Sequence, residues 1–408
     1  MPITIDDIRK AGDLIEGSVV RTPSVFSPAL TEKLGIEVAL KLENMQVTGS
    51  FKPRGAIVKL SGLTDKEKKK GIVAASAGNH AQGVAYHAKH WQIPATIVMP
   101  TNTPFTKVTR TEALGAKIVL LGETLLESRA HADEIALKEG LTFIHPYDDE
   151  KIITGQGTVG LELLEDVPDL EALIIPIGGG GLAAGIAIAA KALNPDIELY
   201  GVESSLYPSM REALNGDEAS SGGQTIADGI AVKAPGVLTR PIIEKHITDV
   251  FTVDERALEK AVQVYAQEQN IVTEGAGAAS LAALMENLDI FRGRKTGLIV
   301  SGGNIDPRIL SSILMRGLMH EGRIVQLRIE IMDQPGVLAR VSGLIGECGG
   351  NIVEVYHQRM FYDLPIKNAN VDVVVETVDP DHVGKIIARL TESGFSTRLL
   401  SATSDNIS

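Results

Sequence analysis

Short apolar runs rich in β-branched residues alternate with helical patterns through most of the chain. The run "ALIIPIGGGG" precedes the helical pattern "LAAGIAIAAKALN", and the runs "IELYGVE" and "TGLIVSGGN" follow later. Strands that are apolar on both faces and separated by helices are typical of parallel sheets with right-handed crossovers. The pattern therefore predicts an α/β fold whose ligands bind at the carboxyl ends of the strands.

The pattern changes near Gly322. From there it predicts a strand at 324–332, a helix at 337–348, strands near 352–360 and 371–377, a helix at 381–393 and a strand at 395–401. This βαββαβ order is that of a ferredoxin-like unit. We therefore divide the chain into a first unit, 1–322, and a second unit, 323–408.

Composition excludes several classes of partner. The formal net charge of −13 argues against broad binding to nucleic acids or anionic membranes, because both require a basic surface. One cysteine, Cys348, cannot form an intramolecular disulfide and indicates a reducing compartment. The N-terminus has no apolar signal-peptide core, and no apolar run reaches membrane-spanning length. These features predict a cytoplasmic protein.

Four consecutive glycines, Gly178, Gly179, Gly180 and Gly181, lie between a predicted strand and a predicted helix. Bare backbone N–H groups at a helix N-terminus bind a phosphate without any cationic side chain. A dinucleotide fingerprint is an alternative, since Ala183 replaces its third glycine and Glu203 ends the next strand. This stretch alone leaves a nicotinamide cofactor open.

Three further turns offer polar groups at predicted strand or helix ends. In "SAGNHAQG", Ser76 and Asn79 are donors suited to a carboxylate or phenolate oxygen, whereas His80 is more often explained by packing or capping. Ser301 could offer a neutral hydroxyl to a ring nitrogen. Glu274 precedes a helix of small residues, where an acidic side chain also satisfies the helix dipole.

Lys52, in "SFKPRGA", is surrounded by turn-forming residues that would direct its side chain. An aldehyde cofactor with one phosphate would use all of these features. Lys52 would form the Schiff base, the glycine turn would hold the phosphate, Asn79 would bind the ring hydroxyl and Ser301 the ring nitrogen. A nicotinamide cofactor would leave Lys52 unexplained and survives only if Lys52 is dispensable.

The motifs "SFKPRGA", "SAGNHAQG", "GGGGL" and "SGGN" resemble those of the threonine dehydratases of the type II pyridoxal-phosphate fold, in the same order and spacing. The resemblance covers essentially the whole chain. It implies a two-lobed catalytic unit, with a small lobe at roughly 52–150 inserted in the large lobe. The second unit resembles an ACT regulatory domain, which implies an amino-acid effector site at Asp333, Gly336, Val337 and Asn351.

The resemblance also implies residue roles. Lys52 is the Schiff-base lysine and proton shuttle, next to Phe51, and Glu274 has a supporting role. The cofactor, pyridoxal 5′-phosphate, would contact Asn79, Ser301, Leu182 and the glycine turn. The substrate carboxylate would be bound by the turn Ser76, Ala77, Gly78, Asn79 and His80.

The implied reaction is deamination of L-threonine to 2-oxobutanoate and ammonia, with L-serine as a lesser substrate. A neutral Ser301 beside the ring nitrogen favours loss of a β-substituent over transamination. Serine racemases carry a second serine where this chain has Ala77, so dehydration is favoured over racemisation. A metal site is not predicted, because Glu203 is present but Ser209 replaces the second ligand.

Three alternatives remain open: a serine or hydroxyaspartate dehydratase or racemase, a non-catalytic amino-acid sensor, and the nicotinamide enzyme. The resemblance further implies a homo-oligomer, either a dimer or a tetramer. It leaves the identity of any effector open.

Overall fold

The computed structural model describes residues 2–358 and 368–400. Two compact units divide between Ile305 and Asp306. The helices of the described residues are α1 (Ile5–Ile15), α2 (Pro28–Leu34), α3 (Lys52–Ser61), α4 (Asp65–Lys70), α5 (Asn79–His90), α6 (Phe105–Ala113), α7 (Leu125–Glu139), α8 (Glu150–Asp166), α9 (Gly181–Leu193), α10 (Ser209–Asn215), α11 (Thr239–His246), α12 (Glu255–Gln269), α13 (Gly275–Glu286), α14 (Leu288–Phe291), α15 (Pro307–His320), α16 (Val337–Glu347) and α17 (Pro380–Glu392).

Three sheets contain the strands. These strands are β1 (Ser24–Phe26), β2 (Val38–Leu42), β3 (Ile72–Ala75), β4 (Ala95–Met99), β5 (Lys117–Leu120), β6 (Thr142–Phe143), β7 (Ala172–Pro176), β8 (Glu198–Ser204), β9 (Asp249–Val253), β10 (Thr296–Val300), β11 (Ile324–Met332), β12 (Asn351–Gln358), β13 (Asn368–Glu376) and β14 (Thr397–Leu400). Short 3-10 turns occur at Glu43–Met45 and Asp228–Ile230.

The first unit contains two sheets. The larger has the order β1-β2-β10-β7-β8-β9 and is parallel except for the edge strand β1. The smaller is parallel throughout, with the order β5-β4-β3-β6. Every residue of β2, β7 and β10 is buried, as expected for strands covered by helices on both faces. The smaller sheet lies between β2 and β7 in the chain.

Helices α3, α8 and α9 pack closely because small residues line their contacts. A Cβ on Gly157 would lie 2.9 Å from the Gly185 carbonyl oxygen, and one on Gly155 would overlap the Arg54 carbonyl oxygen. Most of α8 and α9 is buried. This packing fixes α3, which begins at Lys52, against α8, and α8 in turn packs against α9.

The second unit contains the antiparallel sheet β12-β13-β11-β14 with α16 and α17. The first strand, β11, alternates between buried and more exposed residues, so one face forms the core of the unit. Its element order and strand order are those of a ferredoxin-like fold. The predicted α/β fold class, with a ferredoxin-like second unit, is confirmed.

The boundary between the units differs from the predicted one. Helix α15 belongs to the second unit and contacts β11, so the division falls after Ile305 and not near Gly322. The sequence pattern of α15 could not reveal this, because an amphipathic helix does not specify which sheet it packs against. Strand β11 begins and ends at the predicted residues. Parts of two predicted strands, 359–360 and Ser401, lie outside the described residues.

Among the described residues, no helix is both long enough and apolar enough to cross a lipid bilayer.

Candidate active site

A cavity of about 310 Å³ opens in the first unit where the two parallel sheets end. The carboxyl ends of β3, β7 and β10 each contribute a turn to its wall, as expected for a ligand site in an α/β fold. Its volume lies near the lower end of the range for small-molecule sites. Predicted site residues in its wall are Phe51, Lys52, Ser76, Ala77, Gly78, Asn79, His80, Gly178, Gly179, Gly180, Gly181, Leu182, Glu274 and Ser301.

Lys52 occupies the first helical position of α3, which has no side-chain cap. Its Nζ donates a hydrogen bond to the Pro146 carbonyl oxygen over 3.1 Å. Burial lowers the pKa of Lys52 to about 8, although the charge of Glu274 acts in the opposite direction. A Cβ on Gly83 would lie 3.0 Å from the Lys52 carbonyl carbon, so this glycine lets α5 approach α3. The fold therefore holds Lys52 with a partly deprotonated amine at neutral to mildly alkaline pH.

The tetraglycine turn connects β7 to α9. Gly180 has φ +93°, and this N-cap position carries no capping side chain. The Gly179 carbonyl points into the protein, where it accepts hydrogen bonds from Thr239 Oγ1 (2.7 Å) and the Gly236 N–H (3.1 Å). Among the described residues, no acceptor faces the N–H groups of residues 178–183. The turn thus presents unpaired donors at a helix N-terminus, the arrangement that binds phosphate.

Asn79 is held between two residues at its side-chain amide. Its Nδ2 donates to Glu274 Oε1, and its Oδ1 accepts from Asn304 Nδ2, both over 2.7 Å. Burial and the charge of Asp228 raise the pKa of Glu274 to about 7. Ser301 is buried at the end of β10, and its Oγ donates to the Ala276 carbonyl oxygen over 3.3 Å.

The predicted substrate turn follows β3. Ser76 Oγ accepts from the Gly78 N–H over 3.2 Å, and a Cβ on Gly78 would meet no atom within 4 Å. His80 is buried, and its Nε2 bonds to the Ile144 carbonyl oxygen over 3.0 Å. Burial and the charge of Lys52 lower the pKa of His80 to about 3, so its ring is neutral. The side chain of His80 therefore supports the turn.

A buried charge network lies beneath the start of α3. Arg54 donates to Glu43 Oε2 over 2.8 Å and to Glu162 Oε1 over 2.6 Å. Lys41 Nζ donates to Glu162 Oε2 over 2.7 Å. The two positive and two negative charges balance. Burial disfavours the charged form of Arg54, but the two neighbouring carboxylates have the larger effect. The pKa of the guanidinium is therefore raised. The network ties α3 to β2 and α8, two residues after Lys52.

Sequence reasoning missed several residues of the cavity wall. Pro146 holds the Lys52 amine, and the Tyr147 ring packs against Gly179, whose Cβ would overlap that ring. At the wall, Lys107 forms an ion pair with Asp228 over 2.5 Å. Asn304 is the last residue of the motif "SGGN", but the sequence alone indicated no role for it. Pro146 acts through its carbonyl group, which no residue pattern identifies.

The predicted effector residues lie in the second unit. Asp333 follows β11, Gly336 has φ +87° before α16, and Val337 begins that helix. Asn351 begins β12, and its Nδ2 donates to Glu376 Oε2 over 3.0 Å. Their role in binding an effector stays a prediction.

The residues of the cavity fit a group that carries an aldehyde, a polar ring and one phosphate. Lys52 supplies a primary amine, the glycine turn supplies unpaired N–H donors, and Asn79 retains a second Nδ2 hydrogen without an acceptor among the described residues. A dinucleotide fits less well. Both oxygens of Glu203, the expected ribose ligand, accept backbone N–H groups of Met210 (2.8 Å) and Arg211 (2.9 Å). Glu203 thereby caps α10.

Comparison with known proteins agrees with this chemistry. The family model described as "Pyridoxal-phosphate dependent enzyme" matches residues 15–302. The chain belongs to this family, and its cofactor is pyridoxal phosphate. This result decides against the nicotinamide alternative.

Individual relatives are also similar. The chain is 42% identical over 400 residues to an L-threonine ammonia-lyase of Thermotoga maritima, covering 98% of this chain and all of that protein. The structure of a threonine deaminase from Solanum lycopersicum superposes with a TM-score of 0.72 at 34% identity, covering 76% of this chain and 91% of that one. A serine racemase from Dictyostelium discoideum superposes with a TM-score of 0.70 at 35% identity, covering 74% and 99%.

Proposed function

We propose that the protein is an L-threonine ammonia-lyase that converts L-threonine to 2-oxobutanoate and ammonia. The observation that carries the proposal is the position of Lys52 Nζ, 3.1 Å from the Pro146 carbonyl oxygen in a cavity that also contains the tetraglycine turn. The full-length similarity to the Thermotoga maritima ammonia-lyase supports the choice of substrate.

Pyridoxal phosphate, when bound, supplies the electron sink that makes the Cα proton of an amino acid acidic. Lys52 would hold the cofactor covalently until the substrate amine takes its place, and the freed Lys52 amine would then accept that proton. A pKa of about 8 suits both, because a group with a pKa near the working pH is both available and sufficiently basic. The Pro146 carbonyl oxygen orients the amine through its hydrogen bond.

The remaining residues bind and orient. The N–H groups of Gly178–Gly181 and Leu182 bind the phosphate. The Ser76–His80 turn, with the open space beside Gly78, receives the substrate carboxylate. Ser301 would offer a neutral hydroxyl to the ring nitrogen, and a neutral partner there would favour loss of the β-hydroxyl over transamination. No metal ion is part of the proposed reaction.

Racemisation of serine is the second candidate, because the serine racemase superposes nearly as well as the threonine deaminase. Proton delivery to the opposite face of Cα requires a second acid–base group. Ala77 carries no acid–base group, and a pKa lowered to about 3 makes the His80 ring a weak base. We therefore place dehydration of L-threonine first and of L-serine second.

The second unit is proposed to be an ACT-like regulatory domain that binds an amino acid near Asp333, Gly336, Val337 and Asn351. The ferredoxin-like topology supports this assignment. Assembly into a homodimer or homotetramer and a cytoplasmic location are parts of the same proposal.

The test is the visible absorbance of the purified protein before and after L-threonine is added. We expect a band from the bound cofactor, its perturbation by L-threonine, and appearance of 2-oxobutanoate faster than pyruvate from L-serine. A protein that binds the cofactor yet forms D-serine faster than either oxoacid would refute the proposed reaction. Added isoleucine or valine that leaves the rate unchanged would count against the regulatory role.

A further inference from the structure

The side-chain amide of Asn304 is fixed by two acceptors. Its Nδ2 lies 2.7 Å from the Thr48 carbonyl oxygen and 2.7 Å from Asn79 Oδ1. A backbone carbonyl can only accept, so the atom facing Thr48 must be the nitrogen. Both hydrogens of Asn304 Nδ2 are then used, one on each acceptor.

This arrangement determines the orientation of Asn79. Because Asn304 donates, the Asn79 atom that faces it must be Oδ1, and Nδ2 must lie on the opposite side of the amide. One Nδ2 hydrogen is donated to Glu274 Oε1 over 2.7 Å. The second has no acceptor among the described residues, and Asn79 lies in the cavity wall. The donor that Asn79 offers to the cavity is therefore set by Asn304.

Glu274 completes the arrangement from the other side. Its carboxyl group is buried, and Oε1 accepts a hydrogen bond from Asn79 Nδ2 over 2.7 Å. Gly302 makes room for this carboxyl group, since a Cβ there would overlap Glu274 Oε1. Asn304 and Glu274 thus both bind the Asn79 amide, Asn304 at Oδ1 and Glu274 at Nδ2.

We propose that Asn304 and Glu274 are positioning residues that hold the Asn79 amide with Nδ2–H directed at the oxygen of the ring hydroxyl of pyridoxal phosphate. A donor at this place favours the deprotonated form of that oxygen and strengthens binding of the cofactor. The inference rests on the cofactor of the family and not on threonine as the substrate. A protein that binds the cofactor but fails to deaminate threonine would therefore still test it.

Asn304→Asp is the decisive variant because it keeps size and shape while removing the donor. The introduced carboxylate accepts from Asn79 Nδ2 only if the Asn79 amide turns over, which directs Oδ1 at the cavity. We expect the affinity for pyridoxal phosphate to fall about tenfold, the loss of a charge-assisted hydrogen bond. We also expect the pH midpoint of the bound cofactor's absorbance change to rise by about one unit. Both are measured on the full chain titrated with pyridoxal 5′-phosphate.

Asn44→Asp is the matched control. Asn44 Nδ2 also donates to a backbone carbonyl, that of Val272, over 3.2 Å, but within the described part of the chain Asn44 makes no hydrogen bond with Asn79. The same charge is introduced and a backbone hydrogen bond is lost in both variants. We expect the affinity and the absorbance midpoint of Asn44→Asp to match those of the wild type.

The double variant Asn304→Asp, Glu274→Gln separates positioning from folding. In the reversed arrangement the glutamine introduced at position 274 can donate to Asn79 Oδ1, so donors and acceptors are matched again between these three positions. We expect the melting temperature to recover part of its loss, while affinity and absorbance midpoint stay altered. Recovery of all three together, or an unshifted midpoint in Asn304→Asp despite folded protein, would overturn the proposal.

Discussion

Two glycine-rich turns end neighbouring strands of the large sheet, yet their glycines have different purposes. The turn after β7, Gly178–Gly181, leaves unpaired N–H groups at a helix N-terminus in the cavity wall. In the turn after β10, the space beside the glycines is filled by other parts of the protein. Its Gly302 leaves space for the Glu274 carboxyl group, and the N–H of Gly303 donates to the Gly49 carbonyl oxygen over 2.9 Å.

The difference shows that glycine at a strand end has two distinct physical uses. One glycine run exposes the backbone so that a ligand can approach it, and the other lets two parts of the protein approach each other. The second turn also binds the segment that precedes Lys52, because the Phe51 N–H donates to the Ser301 carbonyl oxygen over 3.2 Å. The four predictions below separate ligand binding from protein packing, beginning with the largest effect.

Lys52→Ala removes an amine that shares the cavity wall with residues of both turns. We expect turnover of L-threonine to fall at least about a thousandfold, because covalent attachment and proton removal are both lost. Non-covalent binding of pyridoxal phosphate should persist, since the glycine turn is intact. Absorbance and steady-state oxoacid formation measure the two effects. Turnover within about tenfold of the wild type would remove Lys52 from the mechanism.

Gly180→Ala tests the turn that faces the ligand. Its φ of +93° disfavours any side chain, and the new Cβ would lie 2.7 Å from Thr239 Oγ1. We expect the affinity for pyridoxal phosphate to fall between about tenfold and a hundredfold, because displaced N–H groups lose their hydrogen bonds to the phosphate. Affinity is measured by absorbance titration.

Gly216→Ala is the control for Gly180→Ala. Gly216 also has a positive φ, +77°, but its Cβ would meet no atom within 4 Å. Gly216→Ala therefore introduces a similar backbone strain without displacing any neighbouring atom. The affinity for pyridoxal phosphate should be unchanged. Equal losses of affinity in both variants would mean that strain alone explains the effect.

Gly302→Ala tests the turn that faces the protein. The added Cβ would overlap Glu274 Oε1 and lie 3.2 Å from Ser50 Cβ. We expect a loss of about 1–3 kcal/mol in the free energy of unfolding, as for overpacked cores, and a smaller loss of cofactor affinity than in Gly180→Ala. Urea denaturation and absorbance titration of both variants provide the comparison. A larger loss of cofactor affinity in Gly302→Ala than in Gly180→Ala would contradict the conclusion that the turn after β10 packs against the protein and the turn after β7 binds the ligand.

Glu274→Gln should change the pH dependence of stability. The folded protein holds the pKa of Glu274 at about 7, above its ordinary value of 4.5, so wild-type stability from this group is present at low pH and is lost as pH rises through about 7. The variant lacks this titration. We therefore expect the free energy of unfolding of the variant, relative to that of the wild type, to increase by on the order of 2 kcal/mol as the pH rises from about 5 to about 8.

Glu203→Gln provides the matched comparison for Glu274→Gln. Burial also raises the pKa of Glu203 to about 7, but its carboxylate caps α10 and is not part of the cavity wall. Its stability should show a similar pH dependence, whereas its absorbance with bound cofactor should match the wild type. A flat stability difference for Glu274→Gln across this pH range would show that Glu274 is ionised in the folded protein.

Much of the fold follows from local pattern. Two-sided apolar strands separated by helices specify parallel sheets, and the change to alternating burial at β11 specifies a sheet with one covered face. Lys52 and the tetraglycine turn could be singled out from the sequence, because unusual residues at strand and helix ends require a local explanation, and both lie in the wall of one cavity. The boundary between the units was misplaced by about one helix, since amphipathicity shows that α15 packs but not what it packs against.

The tertiary structure alone decided which groups meet at the cavity. Pro146 lies 94 residues from Lys52, and Asn304 lies 225 residues from Asn79. Likewise, Arg54 resembles a surface residue in a turn-rich segment but is buried among carboxylates from α8 and from the residue that follows β2. Sequence determines residue type and local backbone preference. Hydrogen-bond polarity, burial and the resulting pKa values depend on partners that only chain folding brings within about 3 Å.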